Sequence, residues 1–108
     1  MKPWEVWDCP LFGGHPCVIV SNGKRVERKN KVVVLKCTTL RPDMPLQPDA
    51  LHTTLDEEDG LSVVTRCECD LLYTLEKSDL KNQRGEVSFN RRRDISRKMI
   101  QGLAIAGL

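Results

Sequence analysis

The sequence predicts an α+β fold, mainly β, in which an antiparallel sheet is followed by one C-terminal helix. Two observations carry this prediction. Short runs of β-branched or alternating residues recur as far as residue 75, whereas a helical repeat of apolar residues appears only after residue 88. A chain of 108 residues is long enough for one domain and too short for two, so we expect a single domain over residues 1–108.

Three strands are predicted in the first forty residues. Residues 4–9 alternate between apolar and polar side chains, and residues 32–39 begin with the run Val-Val-Val-Leu. Residues 17–20 form a continuous apolar run rich in β-branched side chains, which is typical of a strand buried on both faces. The segment 21–23 is predicted as a turn, and the basic stretch 24–31 has no clear pattern.

Two further strands are predicted over residues 51–55 and 65–75, with an acidic turn at 56–60 between them. Residues 41–50 contain three prolines, which exclude a helix interior or a central strand in that segment.

The predicted strand at 65–75 has the clearest alternation in the chain. One face would carry Cys67, Cys69, Leu71, Tyr73 and Leu75, and the other would carry Arg66, Glu68, Asp70, Leu72 and Thr74. We therefore expect both thiols to point into the core and the three charged side chains to share the opposite surface.

The last element is a helix predicted over residues 89–103, with Ser88 as a favourable N-cap residue. Ile95, Met99 and Leu103 recur at i, i+4 and i+8, so they form one apolar stripe that would pack on the core.

Three arginines, Arg91 to Arg93, lie in the first turn of this helix, where the helix dipole disfavours cations. Either these side chains are well solvated or an anion lies near them.

The five cysteines are an odd number, and the N-terminus lacks the apolar stretch of a secretion signal. We therefore expect reduced thiols in a cytoplasmic protein, unless an upstream segment is missing. No Cys-x-x-Cys pair occurs, although Cys67, Glu68 and Cys69 could in principle bind a metal with His15. The simpler interpretation is that the cysteines are small buried apolar residues, so we predict no metal and no cofactor.

Charge is distributed unevenly along the chain, although the formal net charge is only +2. Cations concentrate in residues 24–36 and 81–98, whereas residues 43–59 carry carboxylates and no cation. Basic patches of this kind favour a polyanionic partner, RNA or DNA. No apolar run approaches the roughly 20 residues that span a bilayer, so we expect no membrane association.

Five segments, taken in order, resemble the MazF/PemK family of toxin endoribonucleases. They are Glu-Val-Trp at 5–7, Gly-His-Pro-Cys-Val-Ile-Val-Ser-Asn at 14–22, Val-Val-Val-Leu-Lys-Cys-Thr-Thr at 32–39, Cys-Asp followed by Thr-Leu-Glu-Lys within 69–77, and Gly-Glu-Val-Ser at 85–88 before the terminal helix. The resemblance implies an SH3-like barrel, a homodimer and an antitoxin protein as partner.

The same resemblance implies a site that cuts RNA without a metal, through attack of a 2′-hydroxyl on the adjacent phosphate. His15 stands at the arginine of the family's Arg-Pro pair, Thr38 matches its catalytic threonine, and Asp70 matches the aspartate of an Arg-Cys-Asp triplet. These three residues are the catalytic candidates. The substrate-binding candidates are Lys36, Thr39, Arg66 and Glu68.

The chain departs from the family at both arginine positions, which are occupied by His15 and Glu68. Imidazole transfers protons near neutral pH, and Arg66 is the candidate replacement for the lost positive charge. Two alternatives therefore stay open. One is a module of the same fold that binds RNA, DNA or a partner peptide without cleavage, and the other is an unrelated small interaction protein with an SH3-like sheet.

Overall fold

The computed structural model describes residues 1–41, 43 and 51–105, so most of the proline-containing segment predicted at 41–50 lies outside the described residues. The regular elements within these ranges are the strands β1 (Glu5–Asp8), β2 (Pro16–Ile19), β3 (Lys31–Thr39), β4 (His52–Leu55), β5 (Thr65–Glu76) and β6 (Lys81–Glu86) and the helices α1 (Gly23–Arg28) and α2 (Phe89–Gly102). Short 3₁₀ turns occupy Pro10–Phe12, Glu57–Asp59 and Lys77–Asp79.

All six strands belong to one antiparallel sheet with the order β4-β5-β3-β2-β1-β6. The described part of the chain is mainly β, and α2 is its C-terminal helix, which confirms the predicted fold class. The predicted strands at 4–9, 17–20, 32–39, 51–55 and 65–75 are each present within one or two residues of their expected bounds.

The sheet buries apolar side chains on both faces. On the face covered by α2 lies the α2 core, which consists of Val6, Val18, Leu35, Cys37, Leu55, Leu61, Cys67, Cys69, Val87 and Ile95. On the other face lies the α1 core, which consists of Cys9, Cys17, Ile19, Val26, Val32, Val34 and Leu80. Successive residues of β2 belong to alternate cores, as expected for a strand buried on both faces.

Alternation along β5 holds at its start and reverses in its middle. Cys67 and Cys69 are fully buried in the α2 core, as predicted. The pairing of β5 with β3 then contains a register shift, beyond which Leu72 packs on the α2 core and Leu75 on the α1 core. Because such an irregularity reverses side-chain parity, the predicted common face is wrong for Leu71, Tyr73 and Leu75.

Helix α2 is confirmed, and it packs through Ile95, which is fully buried, and Met99, which contacts the α2 core. Ser88 occupies the N-cap position, but its hydroxyl makes no capping bond. Instead, the Ser88 N–H donates to Asp59 Oδ1 over 2.8 Å. Ser88 is therefore the N-cap residue, as predicted, but it is anchored through its backbone and not through its hydroxyl.

Two elements were not predicted. Helix α1 begins where a turn was expected, because Asn22 Oδ1 accepts a hydrogen bond from the Arg25 N–H over 2.9 Å and caps it. Strand β6 is almost entirely polar, so it has no apolar pattern, and it is held by pairing with β1. At Gly85, in β6, a Cβ atom would lie 1.9 Å from the Asp59 carbonyl oxygen, so only glycine allows this close approach.

All five cysteines are free and buried, which confirms their prediction as apolar core residues. Burial raises the pKa of Cys17 to about 12, so its thiol stays protonated and unreactive at neutral pH.

Candidate functional site

A row of polar side chains crosses the sheet on the face opposite α2. Thr38 of β3 pairs with Arg66 of β5, and Arg66 pairs in turn with Thr54 of β4. His15 lies at the other end of the row, where its Nδ1 accepts a long hydrogen bond of 3.5 Å from the Thr39 N–H. Three residues separated widely in sequence, His15, Thr38 and Arg66, are thus neighbours on one surface.

Glu68 connects this row to His52, which was not predicted as a site residue. Its Oε1 accepts from Arg66 Nε over 2.9 Å, and its Oε2 lies 2.6 Å from His52 Nε2. Glu68 is nearly buried, with 11% of its side chain exposed, so both contacts are shielded from water. A carboxylate that would repel a phosphate on its own is therefore bound to two potential cations.

Arg66 keeps part of its guanidinium available. Its side chain is 31% exposed, and its ion pair with Glu68 uses Nε. Within the residues that the structure describes, neither terminal amino group of Arg66 has an ion-pair partner, and the Thr38 hydroxyl has no hydrogen-bond partner. These donors face the same surface, where together they can bind the oxygens of one phosphate.

Lys36, another predicted residue, lies two positions before Thr38 on the same strand face. Its ammonium is 5.5 Å from the centre of the Phe12 ring, a cation–π distance. Phe12 in turn contacts Tyr73 in a T-shaped arrangement, with 4.9 Å between the ring centroids. We name the surface that carries His15, Lys36, Thr38, Arg66, Glu68, His52, Phe12 and Tyr73 the open face.

Thr39 belongs to a groove at the margin of the sheet, with a volume of about 270 Å³. The groove is lined by residues of four segments, among them Gly14, Thr39, Ser62, Gln83 and Arg84. Thr39 therefore lies beside the row on the open face without being part of it.

Asp70 is separated from the other candidates. It falls in the irregular part of β5, and its Cβ would lie 2.9 Å from a Cβ placed on Gly102, at the end of α2. Among the described residues, no hydrogen bond or ion pair joins Asp70 to Arg66 or Glu68, so only two of the three charged side chains predicted to share a surface interact. The catalytic role of Asp70 stays a prediction.

Two features of the site escaped sequence reasoning. His52 is adjacent to Glu68 only through the register of β4 on β5, although its place in an alternating strand was visible. The contact between Phe12 and Tyr73 joins a 3₁₀ turn to the part of β5 in which the register shift reverses the predicted alternation of side chains between the two faces.

No set of three or more His, Cys, Asp or Glu side chains in the described ranges is arranged to bind a metal ion. The alternative metal set of His15, Cys67, Glu68 and Cys69 is not assembled, since both thiols point into the α2 core. Likewise, none of the helices described is long and apolar enough to cross a membrane.

The fold and this surface define a small antiparallel sheet that presents a row of imidazole, hydroxyl and guanidinium groups on one face. No family model matches the chain, and no curated protein is significantly similar to it. Solved structures are similar. An endoribonuclease from a mycobacterial species, solved with its cognate antitoxin, is 25% identical, with a TM-score of 0.82, and the match covers 97% of this chain and 96% of that one.

Two other neighbours agree with this result. The Mycobacterium tuberculosis toxin MazF-mt6 is 18% identical, with a TM-score of 0.76 over 91% of this chain and 94% of that one. A MazE–MazF structure from Deinococcus radiodurans is 15% identical, with a TM-score of 0.73 over 97% of each chain. The chain therefore has the MazF/PemK-like toxin fold, as the sequence resemblance implied.

Proposed function

We propose that the protein is the toxin of a toxin–antitoxin pair, a cytoplasmic endoribonuclease that cuts single-stranded RNA without a metal ion. The observation that carries this proposal is the row of His15, Thr38 and Arg66 on the open face. The similarity of the chain in fold to an endoribonuclease solved with its cognate antitoxin supports the same activity.

The reaction forms one bond and breaks another. The 2′-oxygen of a ribose attacks the adjacent phosphorus, and the bond from phosphorus to the 5′-oxygen of the next nucleotide breaks. A base removes the proton of the 2′-hydroxyl, and an acid donates a proton to the departing 5′-oxygen. The products are a 2′,3′-cyclic phosphate and a 5′-hydroxyl.

His15 is suited to hydrogen-bond the reacting phosphate. Since its Nδ1 accepts from the Thr39 N–H, the neutral ring carries its proton on Nε2, and that N–H would donate a hydrogen bond to the departing 5′-oxygen or to a phosphate oxygen. The Thr38 hydroxyl and the Arg66 guanidinium would bind the phosphate oxygens, on which negative charge develops in the transition state. Asp70, as the counterpart of the family's aspartate, is the base that the resemblance implies. Because it lies beside Gly102 at the end of α2, away from this row, it would have to act through a water or from a second copy of the chain.

Glu68 would act through its neighbours. Because it binds Arg66 through Nε, it holds the guanidinium beside Thr38 and leaves the terminal amino groups for the substrate. Lys36 and Thr39 would bind flanking parts of the RNA, on the open face and in the groove respectively.

A homodimer and an antitoxin partner belong to the same proposal. Strands β4 and β6 are the edges of the sheet described, and a second copy or a partner segment would pair with such an edge. A neighbouring endoribonuclease was solved with its cognate antitoxin, which supports a protein partner of that kind here.

The decisive experiment is incubation of the purified protein with a mixed-sequence RNA in EDTA, followed by sequencing of the cut ends. Cleavage that persists and leaves cyclic phosphates is expected. His15→Ala, Thr38→Ala and Asp70→Asn should each lower the rate about 10²-fold or more. Thr74→Ala, an exposed change at the far end of β5, is the matched control and should cleave normally.

A second candidate is a module that binds RNA without cutting it, and the carboxylate of Glu68 at the family's arginine position favours it. RNA binding by the folded wild-type protein with no cleavage in EDTA or in Mg²⁺ would select this candidate.

A further inference from the structure

The aromatic pair on the open face is not explained by packing alone. The Phe12 ring packs partly against the α1 core, but the side of Tyr73 that does not contact Phe12 is open, and 39% of the residue is exposed. The chain has only five aromatic residues, and two of them are placed edge to face at this surface. An exposed aromatic ring held in a fixed orientation is available to stack on a flat ligand.

The aromatic pair lies one to two same-face steps along β3 from the proposed site of cleavage. Lys36, whose ammonium lies over Phe12, and Thr38 are two residues apart on β3, which corresponds to about 7 Å along a strand. This distance is comparable to the separation of neighbouring nucleotides in an extended strand. Tyr73 pairs with Val34, two residues beyond Lys36, so its row lies roughly 13 Å along β3 from Thr38. A base one or two nucleotides from the phosphate at Thr38 would therefore reach Tyr73.

The charges beside the rings distinguish between possible ligands. Lys36 and Arg66 are cations on the same face as Tyr73, and the carboxylate of Glu68 is already bound by Arg66 and His52. Aromatic rings between cations match a nucleobase with its phosphates, the combination that single-strand-binding proteins use. An acidic peptide would satisfy the cations but not the open ring face.

We propose that Phe12, Tyr73 and Lys36 form a nucleobase-stacking platform for an RNA nucleotide one or two positions from the scissile phosphate. This platform deepens the proposed endoribonuclease function and rests on it. Tyr73 stacks on the base, Phe12 holds the tyrosine ring from its edge, and the Lys36 ammonium binds the adjoining phosphate.

The test measures binding and cleavage separately. Binding is followed by fluorescence anisotropy with a labelled, mixed-sequence 2′-O-methyl RNA, which lacks the attacking hydroxyl and so stays intact with the wild-type protein. Tyr73→Ala should weaken binding about tenfold, whereas Tyr73→Phe should not. Phe89→Ala, which removes a 73% exposed ring at the start of α2, is the matched control and should bind normally.

A scan with one abasic position per oligonucleotide shows whether a base is recognised. The wild-type protein should lose about tenfold in affinity at one or two positions, and Tyr73→Ala should lose no more at those positions. Wild-type binding by folded Tyr73→Ala would overturn the platform, as would equal sensitivity of both proteins to abasic sites. So would a change from dimer to monomer in light scattering with Tyr73→Ala, because the ring would then belong to a subunit interface.

Failure of the platform and failure of the proposed function are distinguishable. Abasic-sensitive binding that depends on Tyr73, with no cleavage of ordinary RNA, would support the platform and remove the endoribonuclease function. Cleavage of ordinary RNA with no effect of Tyr73→Ala on binding would support the endoribonuclease function and remove the platform. Cleavage without measurable wild-type binding would have the same consequence.

Discussion

Arg91 and Arg66 are both held by carboxylates, but they are held differently. Arg91 Nη1 donates to Asp56 Oδ1 over 2.7 Å and to Asp59 Oδ2 over 2.5 Å, and its Nη2 donates to Asp56 Oδ2 over 3.2 Å. Arg66 donates to Glu68 through Nε alone among the residues described. Arg91 therefore has its hydrogen-bonding capacity directed into the protein, whereas Arg66 has donors left for a ligand.

The two clusters also differ in what they connect. Asp56 caps the 3₁₀ turn Glu57–Asp59 and Asp59 is its last residue, so Arg91 ties that turn to the first turn of α2. This arrangement resolves the question raised by cations at a helix N-terminus, because carboxylates lie beside Arg91 and offset the unfavourable dipole. The cluster around Arg66 lies on an open sheet surface and joins no two elements that are not already paired.

The largest expected effect is on folding stability. Arg91→Ala should lower the free energy of unfolding by about 3 kcal/mol, because the Asp59 side chain, which is fully buried, would lose its cation. Urea unfolding followed by circular dichroism measures this change. Arg93→Ala, which removes an exposed arginine from the same helical turn, is the control, and equal stabilities of the two variants would contradict the structural role of Arg91.

Arg66→Ala should have the opposite profile. We expect cleavage to fall about 10²-fold, since one contributor to transition-state charge is removed, and the free energy of unfolding to change by only about 1 kcal/mol. Single-turnover cleavage and urea unfolding of the same preparation provide both values. A loss of unfolding free energy as large as that of Arg91→Ala would show that Arg66 stabilises the fold in the way that Arg91 does.

The response of the folded protein to acid is a third test of the structural role of the Arg91 cluster. The hydrogen bond from Arg91 holds the pKa of Asp56 below its ordinary value, so the ionised carboxylate is favoured in the folded state. The resulting stabilisation is complete above the ordinary carboxyl pKa of about 4 and disappears as the pH falls through the lower folded-state pKa. The thermal midpoints of wild-type protein and Asp56→Asn should therefore differ at pH 7 and converge below pH 4. A difference that persists at pH 2 would exclude this carboxylate as its source.

The contrast between these arginines could not be predicted from the sequence. Strands rich in β-branched residues, the buried thiols, and two of the three predicted stripe residues of the helix, Ile95 and Met99, were predictable because each depends on local periodicity. The third stripe residue, Leu103, lies just past the end of α2 and is not among the residues of the α2 core. The partner of an arginine depends on which strand lies beside it and in which register. Arg66 and Glu68 are close in sequence, so their pairing was accessible, whereas Arg91 meets Asp59 from 32 residues away.

The same reasoning explains the errors in the candidate site. His15 and Thr38 were identified by resemblance of short segments, and the structure brings them together because β2 and β3 are adjacent. Tyr73 was assigned to the core because alternation was extended across an irregularity that no residue pattern marks. Strand β6 was missed because a polar strand held by pairing with β1 has no apolar period to detect.

The smallest expected effect concerns a third arginine, Arg97, which pairs with Asp94 over 2.7 Å at a spacing of three residues on α2. Its side chain is 68% exposed, so water screens the pair and ordering the long side chain costs most of the gain. Asp94 also keeps Lys98 at 2.9 Å and the Thr53 hydroxyl at 2.7 Å, so it is not left unpaired. Arg97→Ala should therefore change the free energy of unfolding by about 0.5 kcal/mol or less and leave RNA cleavage unchanged. Suppose that urea unfolding of Arg97→Ala gave a loss of unfolding free energy near that of Arg91→Ala. A short distance between an arginine and a carboxylate would then be enough to predict a large contribution to stability, and burial would not explain the difference between these arginines.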